Sequence, residues 1–338
     1  MNPTARTNER APAPRQYEFA ILGAGALGSI LAAHLARAGH RVAVLARGRR
    51  AQQIRDTGLR ITGLAEFAVP VHTLSDPSQL QSADVLVVAT KTPGTAEALA
   101  ALRHLQVDVA LSIQNGPLKN ELLADAFGEQ RVLGALADTS GELLADGRVL
   151  FTRNVNILLG ELTGEDGPRA QQIAAVIDAA GVRASAVRAI RTLEWSKFTA
   201  WVGLMALSVT TRAVTWRYLC DPDSALVLVR VVREMGRLTR ALGIELTDES
   251  VMPVVTLCRG SEAEAVAVVD RVGQEWRSKA AGHRMSSLQD LEAGRPLEIH
   301  ETLGYALRKA AQLQIPLPLV DAFYRVVAAV DRLSRQPA

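Results

Sequence analysis

A lysine set among apolar neighbours is the first residue of this chain that points to chemistry. Lys197 stands in Glu194-Trp195-Ser196-Lys197-Phe198, inside a long helical pattern. Partial burial there disfavours the ammonium and lowers its pKa, which suits the side chain to donating a proton near neutrality. A lysine whose aliphatic stem covers a core face gives the same pattern, so this stretch alone leaves both readings open. The second set is Gly23, Gly25 and Gly28, in G-x-G-x-x-G spacing. In such a turn the first glycine allows the tight bend, the second lets the backbone approach a pyrophosphate, and the third lets helix and strand pack closely. The phosphates would meet free N–H groups at the positive end of the following helix.

Both sets need elements to position them. Phe19 to Leu22 is a short apolar run, Ala26 to Ala38 continues as a helix that Gly39 closes, and Arg41 to Ala46 forms a second apolar run. That makes a βαβ unit of about thirty residues around the glycines. Arg47 ends the second strand, followed by Arg49 and Arg50. An acidic residue there would hold the ribose of NAD; a guanidinium can pair in bidentate fashion with a 2′-phosphate, which favours NADP. A solvated basic loop is the alternative. Asp84 to Ala89 reads as a buried strand ending at Thr90-Lys91-Thr92, and Val107 to Ser112 as another that delivers Gln114-Asn115-Gly116. Ligands of open α/β sheets lie beyond the carboxyl ends of the strands. Lys91 is thereby placed to meet a cofactor or its phosphates, and Asn115 to bond a ribose or a substrate. A surface lysine and an ordinary Asn-Gly turn are the plainer readings.

Leu59–Leu64, Ala68–Val71, Arg131–Ala137, Val149–Leu159 and Val182–Val187 are β-prone, while Thr95–His104 and Gly167–Ala180 are helical in pattern. From Ile190 the character changes to helices over Arg191–Val209, Asp223–Leu242, Glu262–Gly273, Leu303–Leu313 and Pro318–Leu333. The expected fold is α/β: a Rossmann-type dinucleotide-binding domain over 17–188 and an all-helical domain over 189–334, after a disordered tail at 1–16. A chain of 338 residues, 48% hydrophobic, supports two cores. A net charge of +3, with the basic residues spread out, argues against nucleic acid as a partner. Cys220 and Cys258 show no C-x-x-C spacing and the histidines no H-E-x-x-H arrangement, so neither a metal nor a disulfide is expected, and a cytoplasmic location is. Phe19 to Ala38 is long and apolar but carries three glycines, His34 and Arg37, which fits the nucleotide turn better than a membrane span.

Taken in order, G-A-G-A-L-G-S, Arg47, Lys91, Q-N-G at 114–116, E-W-S-K at 194–197, S-S-L-Q-D at 286–290, L-E-I-H around Glu298 and Ile315-Pro316-Leu317-Pro318 are a specific combination. The chain resembles the ketopantoate reductase (2-dehydropantoate 2-reductase) family over about residues 17 to 330. The resemblance implies a Rossmann domain joined to a helical domain of the 6-phosphogluconate dehydrogenase C-terminal type, with NADPH and a 2-keto acid in the cleft between them. It implies Lys197 as general acid, Asn115 and Glu298 as orienting groups with Glu298 as counter-charge to Lys197, Ser286 on the substrate, and Gly23, Gly25, Ala26, Leu27, Gly28, Arg47, Lys91 and Asn115 around the cofactor. The chain departs from the family where asparagines are usual four and eight residues after the lysine: it has Trp201 and Met205. Leu303 likewise stands just before Gly304, where asparagine is common. Loss of these hydrogen-bonding groups weakens discrimination for a hydroxylated substrate and points to a more apolar, branched or aromatic 2-keto acid. An NADPH-dependent imine or carbonyl reductase and a non-catalytic NADP-binding sensor are the competing readings, and retained Lys197 and Glu298 argue against the sensor. The apolar helices of the second half would serve either an internal core or a homodimer interface.

Overall fold

The computed structural model describes residues 15–335. The first unit is one sheet of ten strands: β1 (Tyr17–Leu22), β2 (Val42–Leu45), β3 (Leu59–Gly63), β4 (Phe67–Val69), β5 (His72–Leu74), β6 (Ser82–Val88), β7 (Gln106–Ser112), β8 (Val132–Leu143), β9 (Val149–Glu161) and β10 (Ala184–Ala186). Their order is β4-β3-β9-β8-β7-β6-β1-β2-β5, with β10 beside β9. The pairings are parallel except β8 with β9 and β3 with β4. The chain leaves β1 toward β2 on one side and later returns to β6 on the other, so the order reverses between β1 and β6. A crevice opens at such a reversal, beyond the strand ends.

Helices cover both faces, and each face has its own apolar core. On one side α1 (Ala26–Arg37) and α5 (Pro168–Ala179) bury Ile30, Leu31, Ile173 and Ile177; on the other, α3 (Thr95–Ala100) and α4 (Leu118–Phe127) bury Leu99, Leu123 and Phe127. The stretch for which a solvated basic loop is the alternative reading is α2 (Gly48–Thr57), which carries Arg49 and Arg50. Its apolar contribution is only Ala51 and Ile54, too sparse a stripe to show helical periodicity in sequence. Residues 1–14 of the expected tail lie outside the described residues. Arg15 and Gln16 are fixed, however: Arg15 pairs with Asp108 at 2.6 Å, and the Gln16 N–H donates to Ser82 Oγ at 2.9 Å.

The strands end at Ala186, and the remainder is helical: α6 (Ile190–Thr211), α7 (Thr215–Cys220), α8 (Pro222–Ala241), α9 (Val254–Leu257), α10 (Glu262–Lys279), α11 (Ser286–Glu292), α12 (Leu303–Gln312) and α13 (Pro318–Ser334). α6 is apolar on nearly every side and is the buried centre of this unit, as an all-round hydrophobic helix must be. α10 runs on past Gly273, which is no helix end but a contact point: a Cβ there would stand 2.6 Å from Cys220 Sγ on α7. α6 also reaches back to the sheet. Gly134 and Gly160 face each other across β8 and β9, and a Cβ on either would strike Ile190 at 2.9 and 2.8 Å. Two glycines thus make the seat for the first residue of the helix that carries Lys197. Among the described residues no helix is long and apolar enough to cross a membrane.

Candidate active site

A cleft of about 1980 Å³ lies between the sheet's carboxyl edge and the helical unit. One wall is the glycine turn. Gly23 has φ +107°, and a Cβ on it would stand 2.7 Å from Thr90 Cγ2, so both conformation and space require glycine there. A Cβ on Gly28 would meet the Gly23 carbonyl oxygen at 2.1 Å, so this position lets α1 close onto the turn. Gly25 differs, for a Cβ there would meet nothing within 4 Å, and it opens onto the cleft with Ala26 and Leu27 at the first turn of α1. Backbone bared at a helix N-terminus, with nothing across from it, is a cradle that fits a dinucleotide's phosphates.

The arginines after β2 divide their work. Arg47 is exposed, precedes α2 and lines the cleft. Arg49 is exposed and does not line it. Arg50 is spent on the protein itself: its guanidinium donates to the carbonyl oxygens of Ala24 at 3.0 Å and Gly147 at 2.9 Å and to Ser29 Oγ at 2.9 Å. Burial, with Arg60 nearby, lowers its pKa. The brace holds the glycine turn from behind, so of the three arginines Arg47 is the one free to meet a ligand's charge.

Lys91 and Asn115 line the cleft at the ends of β6 and β7, as expected. The Lys91 ammonium reaches across to Asp290 on α11 at 2.6 Å, a carboxylate that also accepts from Arg295 at 2.7 Å. Ser286, the first residue of α11, lines the cleft and is exposed. Gln114 is buried and ties the β7 end to the β6 end and to the start of α3, its amide donating to Thr90 O at 3.0 Å and Thr95 Oγ1 at 2.8 Å.

Lys197 is part-buried on α6, and its ammonium donates to the Ala137 carbonyl of β8 at 2.8 Å. Burial, reinforced by the charge of Lys119, pushes its pKa down to about 8, against smaller opposing pulls from Asp138 and Glu194. This is the shift expected from the sequence, but its acidic neighbours are others than expected. Glu298 is no counter-charge to Lys197: its Oε1 accepts from the Thr92 N–H and hydroxyl, both at 2.7 Å, and Oε2 lies 4.0 Å from Lys91. The loop carrying Glu298 faces the β6 end of the cleft, which puts this carboxylate with the Thr92 turn.

Trp201 and Met205 also part company. Trp201, one turn beyond Lys197, lines the cleft. Met205 is 0% exposed and packs in the helical core with Val231 and Met235, so it is no substrate contact. A helix buried all round turns each successive i+4 residue farther from one cleft, and α8 covers Met205. Sequence reading missed Lys119, buried on α4 and paired with Glu194 at 3.1 Å, and the Asp138–Arg153 pair at 2.8 Å on the β8–β9 hairpin, both residues of which line the cleft. No local signal marks Lys119, since it sits on α4 while its partner Glu194 is carried by α6.

Residues 19–164 match the family described as Ketopantoate reductase PanE/ApbA, and residues 189–331 match its C-terminal counterpart. The chain belongs to the ketopantoate reductase family. It is therefore an oxidoreductase of the kind that acts on CH–OH groups. A 2-dehydropantoate 2-reductase of Archaeoglobus fulgidus is 28% identical over 317 residues, covering 94% of this chain and 99% of that one. The crystal structure of a PanE/ApbA family ketopantoate reductase from Ralstonia eutropha superposes with a TM-score of 0.79 at 27% identity, covering 94% of this chain and 99% of that chain. D-mandelate dehydrogenase in a ternary structure with NADH and anilino(oxo)acetate reaches the same TM-score, 0.79, at 19% identity, covering 94% of this chain and 99% of the other. That last likeness is one of fold. In all three the match runs through both units, so the family's two-domain plan, a Rossmann-like domain with a helical one, is present here entire.

Proposed function

We propose that this chain reduces a 2-keto acid with NADPH, with Lys197 as the general acid. The observation that carries the reading is Lys197 itself: an ammonium facing the same cleft as the glycine turn, held by the Ala137 carbonyl at 2.8 Å, with a pKa brought down to about 8. NADPH, when bound, supplies the hydride to the carbonyl carbon. Lys197 stabilises the charge that grows on the carbonyl oxygen and gives it the proton from Nζ, so that ketone becomes alcohol. Asn115 orients the substrate from the β7 end, and Ser286 offers a hydroxyl to its carboxylate. Glu298 holds the Thr92 turn and, with Asp290, keeps Lys91 on the cofactor side. Arg47 selects the 2′-phosphate. Trp201 makes the wall beside Lys197 apolar, which favours a substrate more apolar than ketopantoate.

The test is NADPH oxidation by the purified chain with ketopantoate beside branched and aromatic 2-keto acids. Turnover of an apolar acid ahead of ketopantoate is the expected result. Preference for ketopantoate would remove Trp201 from specificity, and no turnover of any 2-keto acid would overturn the reading.

A further inference from the structure

Beneath the floor of the cleft lies a charge pair that the proposed chemistry does not use. Lys119 on α4 and Glu194 on α6 meet at 3.1 Å, each side chain 3% exposed. Burying both charges costs desolvation that an apolar pair of the same volume would avoid, so such a pair is poor evidence of stability and asks for another role. The choice of cation points the same way. Five of the 38 basic residues are lysines, and Lys91, Lys119 and Lys197 all line the cleft or the small cavity beside it. A lysine is a compact charge whose influence on a neighbour is that of a point, without the guanidinium's planar fork.

The partners of the pair are all next to working residues. Lys119 donates to the carbonyl oxygen of Gln114 at 2.9 Å, the residue before Asn115, and to that of Ala135. Glu194 accepts from the Ala135 N–H at 3.0 Å and from Asn120 Nδ2 at 2.6 Å. Ala135 lies two residues before Ala137 on β8, on the same face of the strand, and the Ala137 carbonyl holds Lys197. Glu194 lies three residues before Lys197, one helical turn away. A cavity of about 20 Å³ is lined by Lys119, Glu194, Asn115 and Lys197 together, so little but this space separates the pair from the proposed acid.

We propose that Lys119 and Glu194 are a positioning pair that fixes α6 and the β7 end against β8 and sets the charge of Lys197 by opposed contributions. This rests on the reading of Lys197 as the proton donor. The charged groups acting on Lys197 are Lys119 from α4, Glu194 from its own helix, Asp138 from β8 and Arg153 from β9. Lys119 works against the ammonium and Glu194 for it. Removing one therefore moves Lys197 in the direction opposite to removing the other, whereas a pair that served only as structural glue would produce no such opposition.

The experiment follows the Lys197 side-chain signal against pH by NMR in the full chain with isotope-labelled lysine. With only Lys91, Lys119, Lys197, Lys279 and Lys309 present, the signal is assigned by its loss in Lys197→Ala. Lys119→Met is expected to raise the titration midpoint by roughly one pH unit and Glu194→Gln to lower it, with the double variant between the two. Midpoints that stay together, or both shift the same way, overturn the proposal. If either single variant fails to fold, the Lys119→Met/Glu194→Gln chain decides, since an isosteric uncharged pair is tolerated better than a lone buried charge. A kcat at least about tenfold lower with unchanged NADPH affinity supports positioning, and an undiminished kcat overturns it. The titration needs no substrate. Opposed shifts in a chain that reduces no 2-keto acid would sink the reductase reading and leave the pair's action on Lys197 standing.

Discussion

On the sheet side of the cleft, what a ligand would meet is backbone: Gly25 with no neighbour within 4 Å of a Cβ, the free N–H groups at the start of α1, and the strand ends that carry Lys91 and Asn115. On the helical side it would meet side chains, Lys197 and Trp201 of α6 with Ser286 at the start of α11, and the first two are set by how α6 lies against β8. The first wall is fixed by local geometry, because Gly23 and Gly28 leave the turn no other shape. The second is fixed by tertiary contact, through the Gly134–Gly160 seat and the Lys119–Glu194 pair. A change at the glycine turn or at Arg47 should therefore touch cofactor binding alone, a change on the second wall should touch chemistry or substrate choice alone, and Asn115 is the position that serves both.

The hardest test of that division is Lys197→Ala. We expect kcat to fall by about a hundredfold to ten-thousandfold, the range for a lost general acid, with NADPH binding by fluorescence nearly unchanged. The pH profile carries a sign. Reduction needs the protonated lysine, so activity should be full below about pH 8 and fall as pH rises through it. The same depression, from 10.5 to about 8, makes the unfolded chain the better proton binder between those values. The burial penalty is thus fully present below about pH 8 and relieved by about pH 10.5, on the order of 3 kcal/mol. Lys197→Met should accordingly raise Tm at pH 7 and do so much less at pH 10. A lower Tm at pH 7 would show that the lysine stabilises the fold.

Gly28→Ala strikes the other wall. Its Cβ would have to stand 2.1 Å from the Gly23 carbonyl oxygen, so the turn must open. NADPH and NADH should both bind at least about tenfold more weakly, with a stability loss of roughly 2 kcal/mol or more by thermal denaturation. Weakened substrate binding with intact cofactor binding would break the division. Arg47→Ala is gentler and finer. Losing a charge-assisted contact of about 2 kcal/mol should raise the NADPH Michaelis constant some tenfold to a hundredfold and leave that for NADH in place. An equal effect on both cofactors would take Arg47 off the 2′-phosphate.

The two walls were also unequally legible. The glycine turn, the strand ends at Lys91 and Asn115, and the change to helices near Ile190 could be read from local pattern, because each is specified by neighbours in sequence. Lys197 stood out because a charge among apolar residues is locally odd. Glu298 was paired with the wrong lysine because its partner, the Thr92 turn, lies 206 residues away and only the packing of α11 and its following loop brings them together. Arg50 stands in sequence with Arg47, in a cluster able to meet a 2′-phosphate, and nothing local shows a guanidinium spent on Ala24, Ser29 and Gly147. Lys119 was invisible for the same reason: its partner Glu194 lies on another helix. In each case the missing information was a long-range contact of a side chain.

Trp201→Asn is the smallest expected effect and the most discriminating. Asparagine spacing invited Trp201 and Met205 to be read as a pair, yet one lines the cleft and the other is sealed in the helical core. Replacing Trp201 by Asn returns an amide to the wall beside Lys197. The ratio of kcat/KM for ketopantoate to that for an apolar 2-keto acid should then rise by about tenfold, the worth of a hydrogen bond to a substrate hydroxyl. Met205→Asn should leave that ratio where it is and instead cost about 2 kcal/mol or more of stability, because the amide would be buried without a partner. A ratio that moves with Met205 and not with Trp201 would mean that α6 turns in solution to present its other face. The substrate wall would then be set by the rotation of that helix, and no longer by the fixed placement of Trp201 beside Lys197.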